Sequence, residues 1–451
     1  MKIFNTLTKQ KEEFVPIDEN KVNLFVCGPT VYDYPHLGHA KTYTQFDFIA
    51  KYLRYKGYDV FYLQNITDLD DKIIQRAADA HTDWKKLSEA FRVIYVDNMR
   101  QLHIDSVTEY AKATDFIPQI VSQVKRLMEK GYAYQISDGI YFEISKFAEY
   151  GKLSKRSQLQ AEDAVSRIDA SVEKRGANDF CLWKFSKPNE PSWETELGKG
   201  RPGWHIEDTA ITEHYFGAQY DIHGGATDLI FPHHEAEITQ MESVSGKSPL
   251  VNYWMHTGFL NIHDEKMSKS KGNFLTIDDA LLKYDYKTLR YLFISNRYRT
   301  QINFDETSLE QAKASVTRIN ECVYKLDAEQ SPEKEHALLE DLKTRVTNHL
   351  DDDFDTPQAL ARIFEYIKAR NSDGMAGMLT LEYFKQLNSF FDFISFDTGV
   401  VFDTHVLDLI EQREEKRKAG DYDGADKIRE ELKSQGIEVD DTKGGVRWKK
   451  V

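Results

Sequence analysis

Cysteine is scarce in this chain of 451 residues. Cys27, Cys181 and Cys322 are odd in number and scattered, which excludes a disulfide framework and points to a reducing compartment, the cytoplasm. No apolar run approaches the ~20 residues that a bilayer-spanning helix needs. The opening MKIFNTLTKQKEEF has no apolar signal core, so neither a membrane nor a secretory destination is expected. A basic excess is missing too. With 59 basic against 74 acidic residues the formal net charge is −15, which argues against a non-specific nucleic-acid coat. Any RNA must be read by local basic patches. Internal repeats and low-complexity tracts are absent. What is present is 41% hydrophobic and 29% charged, a globular composition long enough for two or three domains.

Two stretches carry chemistry. The apolar run Val22 to Val26 predicts a short buried parallel strand, ended by Gly28 and Pro29. His36-Leu37-Gly38-His39 follows, then a periodic segment (Tyr43, Phe46, Ile49, Ala50, Leu53) that predicts a helix. A strand feeding a glycine-containing helix start is where α/β folds bind phosphates, because free N–H groups and the helix dipole face the anion. His36 and His39, three apart, share one side of that turn, and Gly38 leaves the backbone open to a flat base. The plain alternative is a surface turn with two incidental histidines. The second stretch, Lys266-Met267-Ser268-Lys269-Ser270, lies in a polar loop between an apolar strand and a helix. Its two lysines suit a departing polyphosphate, though such loops are also simply solvated.

Taken in order, residues 1–20 read as a leader strand and turn. Gly57 ends the first helix, and Asp59 to Ile66 is the next strand of a right-handed βαβ unit. Thr67 to Lys72 is rich in carboxylates that either cap a helix or meet a substrate. Residues 84–130 carry helical spacing, and 131–200 are mixed, with a strand at Gly139 to Ile144. The second half-sheet begins near Trp204 and includes Tyr220 to Gly225. A helix from His233 to about Val244 and a strand from Asn252 to Leu260 follow. From Ile277 to about 395 the periodicity is helical, and 406–434 reads as one charged helix. The expected class is α/β: a Rossmann-like parallel-sheet catalytic domain with an insertion, then an α-helical bundle and a small C-terminal α+β unit. The expected boundaries are 1–130, 131–200, 201–280, 281–400 and 401–451.

His233 and Glu237, spaced i, i+4, share a helix face and suit one metal ion. His234 is expected to point elsewhere and be structural. Cys27, at the end of the first strand, reads either as a ligand or as a small apolar filler.

Together FVCGPTVYDYPHLGHA, NITDLDDKI, GRPGWHIE, DIHGG, FPHHE, NYWMHTGFL and KMSKSKGNF resemble the cysteinyl-tRNA synthetases. These are class I aminoacyl-tRNA synthetases, whose two signatures are written HIGH and KMSKS. The likeness continues through Asp351 to Pro357 and ADKIREELKSQGIEVDDT. It implies ATP-dependent ligation of L-cysteine to tRNA(Cys) through a cysteinyl-adenylate, by a cytoplasmic monomer. It implies one Zn2+ on Cys27, His233, Glu237 and a cysteine after GWHIE. Here that position is Asp208, a harder donor. Asp208 as ligand is the first expectation, no metal the second, Cys181 in its place the third.

The resemblance also implies Mg2+ with ATP, and His36, His39, Lys266 and Lys269 as catalytic groups. It places Pro29, Thr30, Gly38, His39, Asp228 and Lys269 at ATP, and Trp204 and His223 in the substrate pocket. Arg413, Arg417, Lys418, Arg447, Trp448 and Lys449 are the expected RNA contacts. Rival readings are a ligase joining cysteine to a small amino acceptor and a non-catalytic tRNA- or cysteine-binding paralogue.

Overall fold

The computed structural model of the chain describes all residues except 157–170, 189, 204, 263–264, 267–273, 325, 327–332, 374–376, 397–403, 443–444 and 451. The side chains of some neighbours, 265–266 and 445–450 among them, are likewise outside it. By compactness the chain forms two units. One holds Met1–Lys313, Arg345–Ala361 and Ser389–Asp392, the other Ala314–Thr344, Arg362–Asn388 and Phe393–Val451.

The first unit opens with an antiparallel hairpin, β1 (Lys2–Asn5) and β2 (Gln10–Glu13). The apolar run becomes β3 (Lys21–Val26), with Val22, Leu24, Phe25 and Val26 fully buried. Burial on both faces is what a central parallel strand requires, and each such side chain contributes about 1.5–3 kcal/mol. The signature helix is α1 (Leu37–Tyr55), closed by Gly57 at φ +95°. β4 (Asp59–Ile66) returns parallel to β3, in register from Lys21 with Asp59 to Val26 with Gln64.

Next come α2 (Asp71–Asp79), α3 (Trp84–Gln101), β5 (Glu109–Lys112) and α4 (Ile117–Glu129). The strand β5 corrects the continuous helical reading of 84–130: only four residues long and half-exposed, it joins the sheet beside β4. Four antiparallel strands interrupt the parallel sheet: β6 (Ala133–Ile136), β7 (Gly139–Phe142), β8 (Phe180–Phe185) and β9 (Gly200–Pro202). Then α5 (Ile206–Phe216), β10 (Tyr220–Ala226), α6 (Glu235–Ser245) and β11 (Val251–Thr257) complete the central layer. Its five parallel strands run β11-β10-β3-β4-β5. The order reverses between β3 and β10, so a crevice opens at their carboxyl ends.

A small sheet, β12 (Leu260–Ile262), β13 (Glu265–Lys266) and β14 (Ile302–Phe304), brackets α7 (Ile277–Leu281) and α8 (Tyr286–Ile294). Helices α9 (Glu306–Tyr324), α10 (Glu333–Leu350), α11 (Thr356–Asp373) and α12 (Met378–Phe391) follow. The charged helix expected over 406–434 is two: α13 (Thr404–Lys418) and α14 (Tyr422–Ser434). Gly420, at φ +79°, turns the chain, and Asp421 caps α14 by accepting from the Gly424 amide at 2.9 Å. These helices pack Leu409, Ile410, Ile428 and Leu432 against Ile437 and Val439 of the hairpin β15 (Ile437–Thr442) and β16 (Gly445–Lys450).

Candidate functional site

Beyond β3 the Cys27 amide donates to the Gly224 carbonyl of β10 at 3.0 Å, which places its side chain in the crevice between the two strands. The Gly28 amide donates to Asn65 Oδ1 at 2.5 Å. A Cβ on Gly28 would lie 1.7 Å from the Asn65 carbonyl oxygen, so no larger residue fits. Pro29 and Val31 bracket Thr30 with backbone bonds to Thr67 at 3.1 and 3.2 Å.

His36 is the extended N-cap residue of α1. The Gly38 amide donates to His36 Nδ1 at 3.1 Å, and the His36 amide donates to His39 Nδ1 at 3.3 Å. The two rings stack 3.8 Å apart at 16°. A ring whose Nδ1 accepts a hydrogen bond carries its proton on Nε2 when neutral, so the capping bonds set the tautomer of both histidines. No acidic residue occupies the first turn of α1, which leaves its dipole available to an anion.

The same turn is bound to the far end of the lysine loop. The Leu37 amide donates to Leu275 O and the Ile277 amide to Pro35 O, each at 3.1 Å, while Phe274 meets the His36 ring edge-on at 5.5 Å. At the near end Lys266 pairs with Asn261 in the β12–β13 ladder. The Lys266 side chain and all of Lys269 lie outside the described residues.

Below lies a cavity of about 110 Å³ lined by Cys27, Gly28, Thr30, Asn65, Thr67, Asp70, His205, Glu207, Asp208, Leu229, His233 and Glu237. The ligating atoms of Cys27, His223, His234 and Glu237 all lie within 4.8 Å of one another, and so do those of His205, Asp208 and Glu237. The structure thus brings Cys27, Asp208, His233 and Glu237 to one cavity, but among the described residues His233 belongs to neither tight cluster.

His234 is a correction. It does not point away: its Nε2 lies 3.1 Å from Cys27 Sγ, and its Nδ1 is 2.9 Å from His256 Nε2. Spacing of i, i+4 from His233 presumes a regular helix there. The regular helix starts at Glu235, after a wider turn over Ile230–His234 that swings the second histidine inward. Gly225 makes room, since a Cβ there would sit 2.7 Å from that ring. His223, wholly buried, stacks on Trp254, is bonded to the Tyr220 hydroxyl at 2.7 Å and reaches Cys27 Sγ at 3.4 Å. Cys181 lies in β8 against Tyr134 and Tyr141, apart from the cavity, which removes it as a substitute ligand.

The electrostatics fit a cation. Burial first, then Glu237, Asp208 and Glu207, push the Cys27 thiol well up. Burial followed by Asp208 and Glu207 does the same to Glu237, and burial raises Asp208 to about 7. Burial holds His223, His233 and His234 neutral and lowers His205 to about 3. Asp208 Oδ1 and Glu207 Oε2 are buried without a hydrogen-bond partner among the described residues. A pocket in which burial disfavours the charged thiol and carboxylates, beside neutral imidazoles and the orphaned Asp208 oxygen, suits a divalent ion with nitrogen, sulfur and oxygen ligands.

Known proteins resemble this chain along its whole length. Residues 13–314 match the family described as tRNA synthetases class I (C) catalytic domain, and residues 345–388 match the DALR domain. A cysteine--tRNA ligase of Thermococcus gammatolerans is 42% identical over 476 residues, covering 100% of this chain and 99% of the relative. One from Thermoplasma volcanium is 43% identical, covering 99% of each. The chain belongs to the cysteine--tRNA ligase family.

The fold of this family member extends to more distant solved structures. Mycobacterium tuberculosis methionyl-tRNA synthetase in complex with methionyl-adenylate aligns at TM-score 0.60 and 17% identity, covering 83% of this chain and 88% of that one. A putative arginyl tRNA synthetase from Campylobacter jejuni gives 0.52 at 15%, covering 83% and 90%.

The remaining expected residues of this cysteine--tRNA ligase family member fall in several places. Asp228 is exposed in the short turn after β10, and Trp204 lies outside the described residues, as do the side chains of Arg447, Trp448 and Lys449. Lys418 is exposed and Arg417 is half-buried, paired with Asp441 at 2.8 Å. Arg413 is a correction. It is 0% exposed and grips both Asp441 carboxylate oxygens at 2.8 and 2.9 Å, so it holds the C-terminal unit together and cannot reach RNA. Sequence reading missed Asn65, His205 and Glu207, although each stands inside a motif it singled out. No helix among the described residues is long and apolar enough to cross a membrane.

Proposed function

We propose that the chain joins L-cysteine to tRNA(Cys) in two steps, acting as a monomer in the cytoplasm. The cysteine carboxylate attacks the α-phosphate of ATP, forming the mixed anhydride cysteinyl-AMP and releasing pyrophosphate. A ribose hydroxyl of the terminal tRNA adenosine then attacks the carbonyl, and AMP leaves. The observation that carries this reading is the thiol-, imidazole- and carboxylate-lined cavity beneath a histidine-capped helix start, in a chain of this family.

Phosphoryl transfer of this kind is catalysed by positioning and by stabilising charge as it forms. His36 and His39 present Nε2–H donors at the helix start, the backbone from Pro29 to Gly38 bounds the nucleotide, and Asp228 meets the ribose. Lys266 and Lys269 receive the pyrophosphate, whose Mg2+ is held by phosphates and water. Cys27, Asp208 and Glu237, with imidazoles from His233 or the adjacent His223 and His234, would hold Zn2+. Bound there, zinc supplies a Lewis acid that favours an ionisable thiol over a serine hydroxyl. His223 closes the floor of the pocket and Trp204 walls the adenylate. Residues 131–200 are an insertion within the catalytic domain, 281–400 an anticodon-stem bundle and 401–451 the anticodon reader, with Arg417, Lys418, Arg447, Trp448 and Lys449 at the RNA. Cysteine-dependent ATP–pyrophosphate exchange followed by charging of tRNA(Cys) tests the reading, and absence of exchange with metal-loaded protein would refute it.

A further inference from the structure

We infer that Glu207 is the anion that receives the α-ammonium group of the substrate amino acid. This rests on the proposal that the cavity binds cysteine. Glu207 lies in the first turn of α5, is 7% exposed, and lines the cavity with Cys27. Its Oε2 has no hydrogen-bond partner among the described residues. Neither group of metal-ligating side chains includes it: one is Cys27, His223, His234 and Glu237, the other His205, Asp208 and Glu237. A metal that took its donors from those sets would still leave the Glu207 oxygen unsatisfied.

Among the described residues no lysine or arginine lines the cavity. Asp70 and Asp208 line it beside Glu207. A buried carboxylate facing other carboxylates is costly until a cation reaches it. Cysteine brings one. Its nitrogen is separated from its sulfur only by Cα and Cβ, so a thiol at the Cys27 end places the ammonium within the same small cavity. Asp70 is the other acid on that wall, but its Oδ1 already accepts the Lys72 amide at 2.8 Å as the cap of α2. Asp208 stands in the metal-ligating set. Glu207 is the acid left over.

The test uses the full, zinc-loaded chain and three thiols: L-cysteine, cysteamine, which lacks the carboxylate, and 3-mercaptopropionate, which lacks the amine. Glu207→Gln keeps the shape and removes the charge. Calorimetric titration should show cysteine and cysteamine weakened at least tenfold in the variant, with 3-mercaptopropionate and zinc content unchanged. In ATP–pyrophosphate exchange the KM for cysteine should rise at least tenfold while that for ATP stays put. Equal weakening of all three thiols would mean that Glu207 merely shapes the pocket, and unaltered cysteine affinity would mean that it does not meet the amine; either overturns the inference. A wild-type protein that binds none of the thiols overturns the underlying cysteine reading itself.

Discussion

His39 spends its Nδ1 on the His36 backbone and keeps Nε2–H for whatever lies in front of the helix. Replacing it with alanine removes that donor together with one capping bond. Adenylate formation should slow by about 10²–10³-fold, the scale of one lost transition-state donor. Folding stability should fall by only about 0.5–2 kcal/mol, the scale of a lost cap. Single-turnover activation beside urea unfolding separates the two effects, and unchanged activation would remove His39 from the chemistry. Asp208 makes the opposite kind of contribution. Its Oδ1 is orphaned and its acid is held at about 7 by burial, so it is costly to keep unless an ion uses it. Asp208→Ala should lose zinc and the preference for cysteine over serine together. Asp208→Cys, giving a softer donor, should tighten zinc without abolishing activation. Metal content and paired exchange assays decide, and full selectivity in metal-free protein would remove Asp208 from the site.

At the scale of elements, the joint between α1 and the strands near the lysine loop rests on a buried ammonium. Lys41 Nζ donates to Gly258 O at 2.6 Å, Gln45 Oε1 at 3.3 Å and Tyr298 O at 3.5 Å. Burial lowers it from an ordinary 10.5 to about 7. The folded chain therefore releases this proton at about pH 7, whereas the unfolded chain keeps it to about 10.5. Unfolding takes up a proton across that window, so the contribution of Lys41 to stability rises as pH climbs from 7 to 10.5 and is lost as pH falls. Compared with Lys41→Met, the wild type should gain melting temperature between pH 7 and pH 10. A gap that stays constant would show an unshifted lysine. The elements most legible in sequence were those whose pattern reports burial directly: β3, α1 and β4 lie where apolar runs and Gly57 put them. β5 was lost because four half-exposed residues between helices carry no periodicity, and His234 because helical spacing presumes a regular helix. Glu207 was overlooked because an acid in a first helical turn already has an ordinary explanation as a dipole partner.

For the whole molecule, the burial of Arg413 leaves the cations of α13 and α14 that remain accessible, Lys416, Arg417, Lys418, Lys427, Arg429 and Lys433, as the described basic groups of the C-terminal unit. Deleting residues 404–451 should leave cysteine-dependent exchange largely intact, because the parallel sheet ends with β11 at Thr257, while weakening tRNA charging. Normal charging by the folded truncation would show that this unit does not read RNA. Arg413→Ala, by contrast, should loosen the unit itself, seen as a lower melting temperature before any change in salt-dependent RNA binding. The backbone bonds from Pro35 and Leu37 to Ile277 and Leu275 fasten the start of α1 to the segment that enters α7. They involve no side chain, so no substitution that keeps the backbone path can cut them. A displacement of the start of α1 is therefore passed directly to the entry of α7, whatever side chains stand at either end.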